Sequence, residues 1–240
     1  FLGLEEEIRL TTDIPLTYIL DEEDFVLNET KYLVLTYGAP LEAPLESTAE
    51  RFLRATIDYW RKWVKSTSIG SFHQEQVIRS ALALKIHQYE DTGAIIAAST
   101  TSLPEAPGST RNWDYRYCWM RDTYYILTAF NNIGHFEEME RYFHYIANIS
   151  TKVKDKYQPL YGISGASELV EHELPLAGYL GNQPVRIGND AYTHIQNDVY
   201  GQVLVALLPL FVDSRFLDPE RTHPERLVPE ALRLIEATMD

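Results

Sequence analysis

The apolar residues of this 240-residue chain change their spacing near Ser47. Upstream of that point, short runs rich in β-branched and aromatic residues alternate with acidic turns, a pattern that is typical of β-strands. Downstream, apolar residues recur every three or four positions, as they do on one face of an amphipathic helix. Strands are therefore predicted over 8–12, 16–20 and 31–37. Helices are predicted over 47–63, 71–86, 119–131, 136–149, 191–208 and 225–239. The chain is thus predicted to be mainly α-helical, with a short β segment in front.

The predicted boundaries depend on capping signals and on the number of strands. Ser47-Thr48-Ala49-Glu50 and Ser71-Phe72-His73-Gln74 fit capping boxes, in which a serine side chain satisfies free backbone N–H groups at a helix start. Three strands are too few for an independent domain, so residues 1–45 are predicted to be the end of a larger β domain with its linker. Residues 46–240 are predicted to form the helical domain. Two of its connections are long enough to favour functional loops. They are 92–117 and 157–190.

Charge and cysteine content restrict the classes of partner. The chain carries 21 basic and 35 acidic side chains, a net charge of −14. A field of that sign repels phosphate backbones and anionic lipids, so we expect neither a nucleic-acid nor a membrane partner. No apolar run is long enough to span a bilayer. The single cysteine, Cys118, excludes an intrachain disulfide and favours a reducing compartment, so we expect a cytoplasmic location. The sequence begins with Phe1 rather than Met, and we therefore expect the natural N-terminus to lie upstream.

The densest chemistry lies in residues 111–122, which contain three arginines, two aspartates, two tryptophans and two tyrosines. Arg and Asp make directional, charge-assisted hydrogen bonds, whereas Trp and Tyr offer flat apolar faces with a polar edge. A pyranose ring presents hydroxyl groups and C–H patches, so this combination suits sugar recognition. The same residues could equally form a buried Arg–Asp network that fixes a long loop. The composition alone leaves both interpretations open.

A second cluster lies in residues 160–191. Asn189 or Asp190, where a loop enters a helix, is more simply explained as an N-cap than as a catalytic residue. Glu171, His172 and Glu173 are adjacent, and adjacent side chains do not converge on a metal, so no metal site is predicted. The sequence also lacks phosphate-binding and dinucleotide-binding motifs, and no cofactor is expected. Two single residues receive structural interpretations: His194 pairs with Asp198 on a helix surface, and Cys118 fills the core.

At these two clusters the sequence resembles glycoside hydrolase family 15, which includes glucoamylases and trehalases. The matching runs are 100–105, 111–122, 184–189 and 198–201. Weaker similarity extends over most of residues 49–212. The resemblance implies an (α/α)6 barrel of twelve helices, of which residues 46–240 would supply about half, preceded by the end of an N-terminal β-sandwich. The remainder of the barrel would then be a partner of this chain.

The resemblance also implies an activity. Family members hydrolyse an α-glucosidic bond with inversion, using one carboxylic acid and one carboxylate held about 6.5–9.5 Å apart. The leading hypothesis is an exo-acting glucoamylase-type α-glucosidase that recognises the non-reducing glucose end of an α-glucoside or oligosaccharide. A trehalase of the same family is the alternative. A non-catalytic sugar-binding fragment and a purely structural helical module are two further hypotheses.

The resemblance carries over to particular residues. Trp119, Arg121 and Asp122 match the family's Trp-x-Arg-Asp motif, whose Arg and Asp hydrogen-bond the glucose in the −1 subsite. The same pocket is expected to be lined by Arg111, Asn112, Trp113 and Tyr115, with Arg186 and Asn189 approaching from the second loop. The family's general acid lies in a Trp-Glu motif after the segment that matches 191–240, and its general base lies further on. Both catalytic carboxylates are therefore expected outside residues 1–240, and no residue of this chain is assigned as a catalyst.

Overall fold

The computed structural model describes residues 7–150, 152–153, 156–213 and 229. This part of the chain is mainly helical, as predicted, with six α-helices and six short strands. It divides between Lys65 and Ser66 into two compact units, which are described separately. The sequence placed the boundary before the first long helix, and the domain assignment of 1–45 and 46–240 stays a prediction.

The first unit contains a β-hairpin and two helices. Strands β1 (Ile8–Thr12) and β2 (Leu33–Tyr37) pair antiparallel, with Leu10 opposite Leu35. The run predicted as a middle strand is instead helix α1 (Leu16–Leu20), so that prediction was wrong. Pro15 holds φ at −55° and its carbonyl accepts the Tyr18 N–H at 3.0 Å, which starts a helical turn. Helix α2 spans Leu45–Lys65.

Neither predicted capping box forms. Helix α2 begins two residues before Ser47, whose Oγ donates to the Pro44 carbonyl at 3.3 Å instead of accepting from a backbone N–H. Helix α3 (Gln74–Ile86) begins after His73, which has a φ of +53° and makes no capping bond. The carbonyl of Pro44 also accepts the Thr48 N–H, at 3.1 Å. The helix ladder therefore already runs through the position where Ser47 would have acted as a cap.

The core of the second unit lies among three further helices. Helix α4 (Met120–Asn132) packs against α5 (Phe136–Ser150) and α6 (Asp198–Val212). The first two match the predicted helices within one residue. The buried side chains include Leu127, Phe130, Met139, Tyr142, Ile146 and Val199. Each contributes about 1.5–3 kcal/mol when removed from water, so these helix faces hold the unit together.

The helix predicted over 191–208 is interrupted. A 3-10 helix covers Asp190–Thr193, and α6 starts only at Asp198. Asn189 caps the 3-10 helix by accepting the Ala191 N–H at 3.1 Å, which confirms the N-cap interpretation. Its Nδ2 also donates to the Asp114 carbonyl at 3.0 Å. That hydrogen bond connects the segment to the neighbouring loop, so the position of the chain is fixed before α6 begins. The helix predicted over 225–239 lies outside the described residues, apart from position 229.

Two small antiparallel sheets lie in the second long loop, and one of them includes the strand that directly follows the first long loop. Strand β3 (Cys118–Trp119) pairs with β4 (Leu160–Tyr161), and β5 (His172–Leu174) pairs with β6 (Val185–Ile187). No helix in the described part of the chain is both long and apolar enough to cross a membrane. The half barrel and the N-terminal β-sandwich stay predictions.

Candidate functional site

The second unit contains an open cavity of about 700 Å³ near the start of helix α4. Its volume lies within the range of small-molecule sites. The cavity is lined by Ala97, Ala98, Glu105, Arg111, Trp113, Tyr115, Trp119, Arg121, Asp122, Glu171, Asn189, Asp190, Ala191, His194 and Gln196. These side chains combine aromatic faces with charged groups of both signs. The cavity can therefore offer both apolar contact and directional hydrogen bonds to one ligand.

The start of α4 presents three of these side chains. The Arg121 guanidinium carbon lies 5.3 Å from the centre of the Trp119 ring, and Arg121 Nη2 lies 3.6 Å from Asp122 Oδ2. The two charged side chains are 44% and 41% exposed, so both keep hydrogen-bonding capacity for a ligand. Thr123 fixes this turn by donating its hydroxyl to the Trp119 carbonyl at 2.7 Å. Trp119 Nε1 is buried and has no acceptor among the described residues.

A second part of the cavity wall is organised by Glu105. Arg111 Nε lies 2.6 Å from Glu105 Oε2, and the Tyr115 hydroxyl donates to Glu105 Oε1 at 3.2 Å. The hydrogen bond from Arg111 is the main cause that lowers the pKa of Glu105, and the same bond raises the pKa of Arg111. Burial, followed by the bond to Glu105, raises the pKa of Tyr115. Glu105 therefore stays ionised and holds both neighbours in fixed orientations.

A third part of the wall comes from the second loop. The Glu171 N–H donates to Asp190 Oδ1 at 2.9 Å, which joins the strand β5 region to the 3-10 helix. Burial raises the pKa of the Glu171 carboxyl, and the nearby Arg186 partly opposes that rise. His194 also lines the cavity. Its predicted surface pairing with Asp198 was wrong, because the helix stops at Thr193 and the two residues share no helical face.

Seven of the nine residues predicted to bind substrate line this cavity, and two lie behind it. Asn112 is fully buried, and its Nδ2 donates to the Pro184 carbonyl at 3.4 Å. Arg186 is also buried and donates to the backbone carbonyls of Thr110 and Asn112. For these two residues the structure shows support of the wall rather than contact with the cavity. That the other seven bind substrate stays a prediction.

Eight lining residues were not among the predicted site residues: Ala97, Ala98, Glu105, Glu171, Asp190, Ala191, His194 and Gln196. Glu105 ends the run 100–105 and stands six positions before Arg111, so its place in the motif was the available signal. Glu171 and Asp190 belong to segments that are distant in sequence and meet through the hydrogen bond described above, next to the pairing of β5 with β6. Sequence spacing gives no signal for that contact.

The structure separates the two interpretations left open for residues 111–122. Asp114 is fully buried and accepts hydrogen bonds from Arg116 Nε at 2.9 Å and Nη2 at 2.8 Å. This pair is the structural Arg–Asp network. Arg121 and Asp122, by contrast, lie in the open cavity. Cys118 is fully buried, and burial raises the pKa of its thiol to about 11, which confirms its role as a core residue.

Among residues 7–150, 152–153, 156–213 and 229, no three His, Cys, Asp or Glu side chains are grouped so that they could hold a metal ion.

Comparisons with known proteins agree on one family. A family model described as Glycosyl hydrolases family 15 matches residues 71–238. The trehalase of Thermoplasma acidophilum is 36% identical over 207 residues, covering 86% of this chain and 35% of that protein. The trehalase of Mycobacterium tuberculosis is 42% identical over 188 residues, covering 74% of this chain and 27% of that protein. The chain thus spans about a third or less of the length of these relatives. No solved structure gives a significant match.

Proposed function

Because this chain belongs to glycoside hydrolase family 15, we propose that its cavity binds one glucose unit of an α-glucoside and that the intact protein hydrolyses trehalose. The glucoamylase-type activity was the leading hypothesis from sequence. The relatives described above are named trehalases, so the alternative is now better supported. The observation that carries the proposal is that Trp119, Arg121 and Asp122 line the same cavity, which is large enough for a disaccharide, and that the Arg121 and Asp122 side chains are 44% and 41% exposed.

The proposed binding mode follows from the chemistry of these groups. The Asp122 carboxylate accepts hydrogen bonds from two sugar hydroxyls, and the Arg121 guanidinium donates to hydroxyl oxygens beside it. The Trp119 ring packs against the C–H face of the pyranose. These contacts orient the anomeric carbon without moving a proton. The resulting role for this part of the protein is to hold the −1 glucose.

Bond cleavage requires two further carboxyl groups. In an inverting reaction a carboxylic acid protonates the glycosidic oxygen while a carboxylate takes a proton from the attacking water. By family resemblance we expect both groups outside residues 1–240. We assign neither role to Asp122, whose place in the motif is that of a hydroxyl ligand. Glu171 is likewise not assigned, because Arg186 lies against its carboxylate.

Analysis of the products of the intact protein tests this proposal. Inverting cleavage of trehalose releases one β-glucose from the attacked ring and one α-glucose from the leaving ring. Proton NMR during the first minutes should therefore show the two anomers in equal amounts. Maltose and isomaltose serve as comparison substrates. Cleavage of maltose without cleavage of trehalose would support the glucoamylase hypothesis instead. Sugar binding with no cleavage of any substrate would support the non-catalytic hypothesis.

The wider architecture is proposed on the same basis. We infer that residues 46–240 form about half of an (α/α)6 barrel and that residues 1–45 end an N-terminal β-sandwich. The mainly helical structure and the match over residues 71–238 support the first part. A cytoplasmic location stays a prediction from the cysteine content.

A further inference from the structure

Arg186 has more partners than any residue in the cavity wall, although it does not line the cavity itself. Its Nη1 donates to the Thr110 carbonyl at 2.9 Å and to the Asn112 carbonyl at 3.3 Å. Its backbone N–H donates to Ser102 Oγ at 2.7 Å, and its carbonyl accepts the Thr101 hydroxyl at 2.6 Å. The side chain is only 11% exposed. One residue thus joins three segments of the two long loops.

Two partners of Arg186 do line the cavity. The guanidinium carbon lies 4.7 Å from the centre of the Trp113 ring, a cation–π contact that covers one face of the indole. Arg186 Nε lies 2.8 Å from Glu171 Oε1, and Nη2 lies 3.4 Å from Glu173 Oε1. Trp113 is half-buried, so the part not covered by Arg186 faces the cavity. Arg186 therefore holds an aromatic face and a carboxylate in the same stretch of wall.

This stretch is distinct from the start of α4. Trp119, Arg121 and Asp122 come from one turn of the chain and are proposed to hold the first glucose. Trp113 and Glu171 come from two other segments, which Arg186 joins. A trehalose molecule has a second pyranose ring, which needs an apolar face and a hydroxyl acceptor as the first ring does. The pair formed by Trp113 and Glu171 offers both.

We propose that Arg186 is a positioning residue that sets the wall facing the second sugar ring, acting through Trp113 and Glu171 without touching the substrate. The proposal rests on the proposed function, because it takes the substrate to be a disaccharide bound in this cavity. It also corrects the sequence prediction, in which Arg186 contacts substrate directly. Arg186 thereby becomes a specificity determinant that acts from behind the wall.

Two substitutions separate the two actions of Arg186. Arg186→Lys keeps a positive charge beside Glu171 but loses the planar group that stacks on Trp113. Arg186→Met loses both. Arg141→Met is the matched control, since Arg141 also bridges two carboxylates, Glu90 and Glu137, but lies outside the cavity. Circular dichroism melting of each variant shows whether it is folded at the assay temperature.

The comparison uses two substrates of the intact protein. Trehalose carries two rings, whereas α-glucosyl fluoride carries one ring and a leaving group too small to reach the second wall. For Arg186→Lys we expect KM for trehalose to rise roughly 3–30-fold, the range of one lost cation–π contact, with kcat/KM for α-glucosyl fluoride within about 2-fold of wild type. The rise in KM for trehalose should be larger in Arg186→Met than in Arg186→Lys. Arg141→Met should match wild type on both substrates.

A pH profile and a double substitution supply independent readouts. Glu171 also faces the carboxylates of Asp190 and Glu173, so removing the positive charge lets burial and these neighbours raise its pKa further. The change in KM for trehalose as pH falls should therefore begin at a higher pH in Arg186→Met and stay in place in Arg186→Lys. If Arg186 acts through Trp113, Arg186→Lys should cost nothing more once Trp113→Leu has removed the ring. Because this comparison uses Arg186→Lys and not Arg186→Met, it can be made even if Arg186→Met fails to fold.

The outcomes separate the proposal from the function on which it rests. The role of Arg186 would be overturned if Arg186→Lys lowered kcat/KM equally for trehalose and α-glucosyl fluoride. It would also be overturned if Arg186→Lys had its full effect on trehalose when Trp113→Leu was already present. Either result would leave the trehalase proposal intact. If wild type does not cleave trehalose, the proposed function fails. The positioning role is then decided by calorimetry, where Arg186→Lys should weaken trehalose binding and leave glucose binding unchanged. Equal weakening of both sugars, or binding of neither sugar by wild type, would overturn it.

Discussion

The same substitution at two aspartates, eight positions apart, should have opposite effects on stability and on sugar binding. Asp114 is fully buried, and its carboxylate accepts three hydrogen bonds from Arg116: from the backbone N–H at 3.1 Å, from Nε at 2.9 Å and from Nη2 at 2.8 Å. Asp122 is 41% exposed, and its contact with Arg121 is 3.6 Å long. Asp→Asn keeps the size of either side chain and removes its charge. The pair of variants therefore isolates the role of each carboxylate.

The expected changes in Tm and in sugar affinity follow from the burial and the partners of each carboxylate. Asp114 is buried but Arg116 is 46% exposed, so removing the charge weakens the hydrogen bonds to one buried carboxylate, which costs about 1.5–3 kcal/mol and in a unit of this size lowers Tm by about 3–12 °C. We expect this loss for Asp114→Asn. An exposed pair contributes at most about 1 kcal/mol, so Asp122→Asn should melt within about 2–4 °C of wild type. A hydrogen bond to a charged group contributes about 1.5–3 kcal/mol, so the same variant should bind glucose or trehalose roughly 10–150-fold more weakly.

Thermal unfolding followed by circular dichroism and titration calorimetry with sugar measure the two effects on the same samples. The reasoning would be refuted if Asp122→Asn lost as much Tm as Asp114→Asn, because Asp122 would then be a structural residue. Unchanged sugar affinity in Asp122→Asn would refute its proposed role as a hydroxyl ligand. Wild-type stability of Asp114→Asn would refute the assignment of the buried network.

Three further predictions concern the same unit. Gly188 has a φ of +83°, and an added Cβ would lie on the carbonyl oxygen of Val170, so Gly188→Ala should lower the free energy of unfolding by at least about 2 kcal/mol in urea titration; an unchanged midpoint would contradict this. Cys118 should not react with an aromatic disulfide reagent at pH 8 until the protein is unfolded, because its thiol is buried and its pKa is about 11; rapid labelling of folded protein would show that the thiol is accessible. The pKa of Glu105 is lowered in the folded protein. The stabilisation of the cavity wall by its pairing with Arg111 should therefore be complete above the ordinary glutamate pKa, and it should be lost only as pH falls through the lower pKa of the folded state. The ratio of sugar affinities between wild type and Glu105→Gln, measured from pH 6 downwards, checks this, and a ratio that already declines above pH 5 would contradict it.

Helix periodicity predicted the core better than it predicted the helix ends. Helices α4 and α5 were found within one residue, because Leu127 and Phe130 in α4, and Met139, Tyr142 and Ile146 in α5, recur at helical spacing and are buried. Helix ends depend on single hydrogen bonds, and the carbonyl of Pro44 and the left-handed backbone of His73 removed both predicted caps. A short apolar run such as α1 carries no period that separates a strand from a helical turn.

The sequence predicted most of the residues of the candidate site but only part of their spatial arrangement. The motif residues around Asp122 meet in one cavity because they lie close together in sequence at the start of a helix. Asn112 and Arg186 do not line that cavity, since the side of a loop on which a side chain lies depends on partners from other segments. Glu171 joins the wall through a hydrogen bond to Asp190, and that contact across 19 positions leaves no pattern in the sequence.

A crystal structure of the intact protein with trehalose or glucose bound tests the central claim most directly. The account predicts a glucose ring inside the 700 Å³ cavity, with hydroxyl oxygens about 3 Å from the Asp122 carboxylate and the Arg121 guanidinium and the ring against Trp119. A sugar bound elsewhere on the protein, with Arg121 and Asp122 making no contact to it, would contradict that claim.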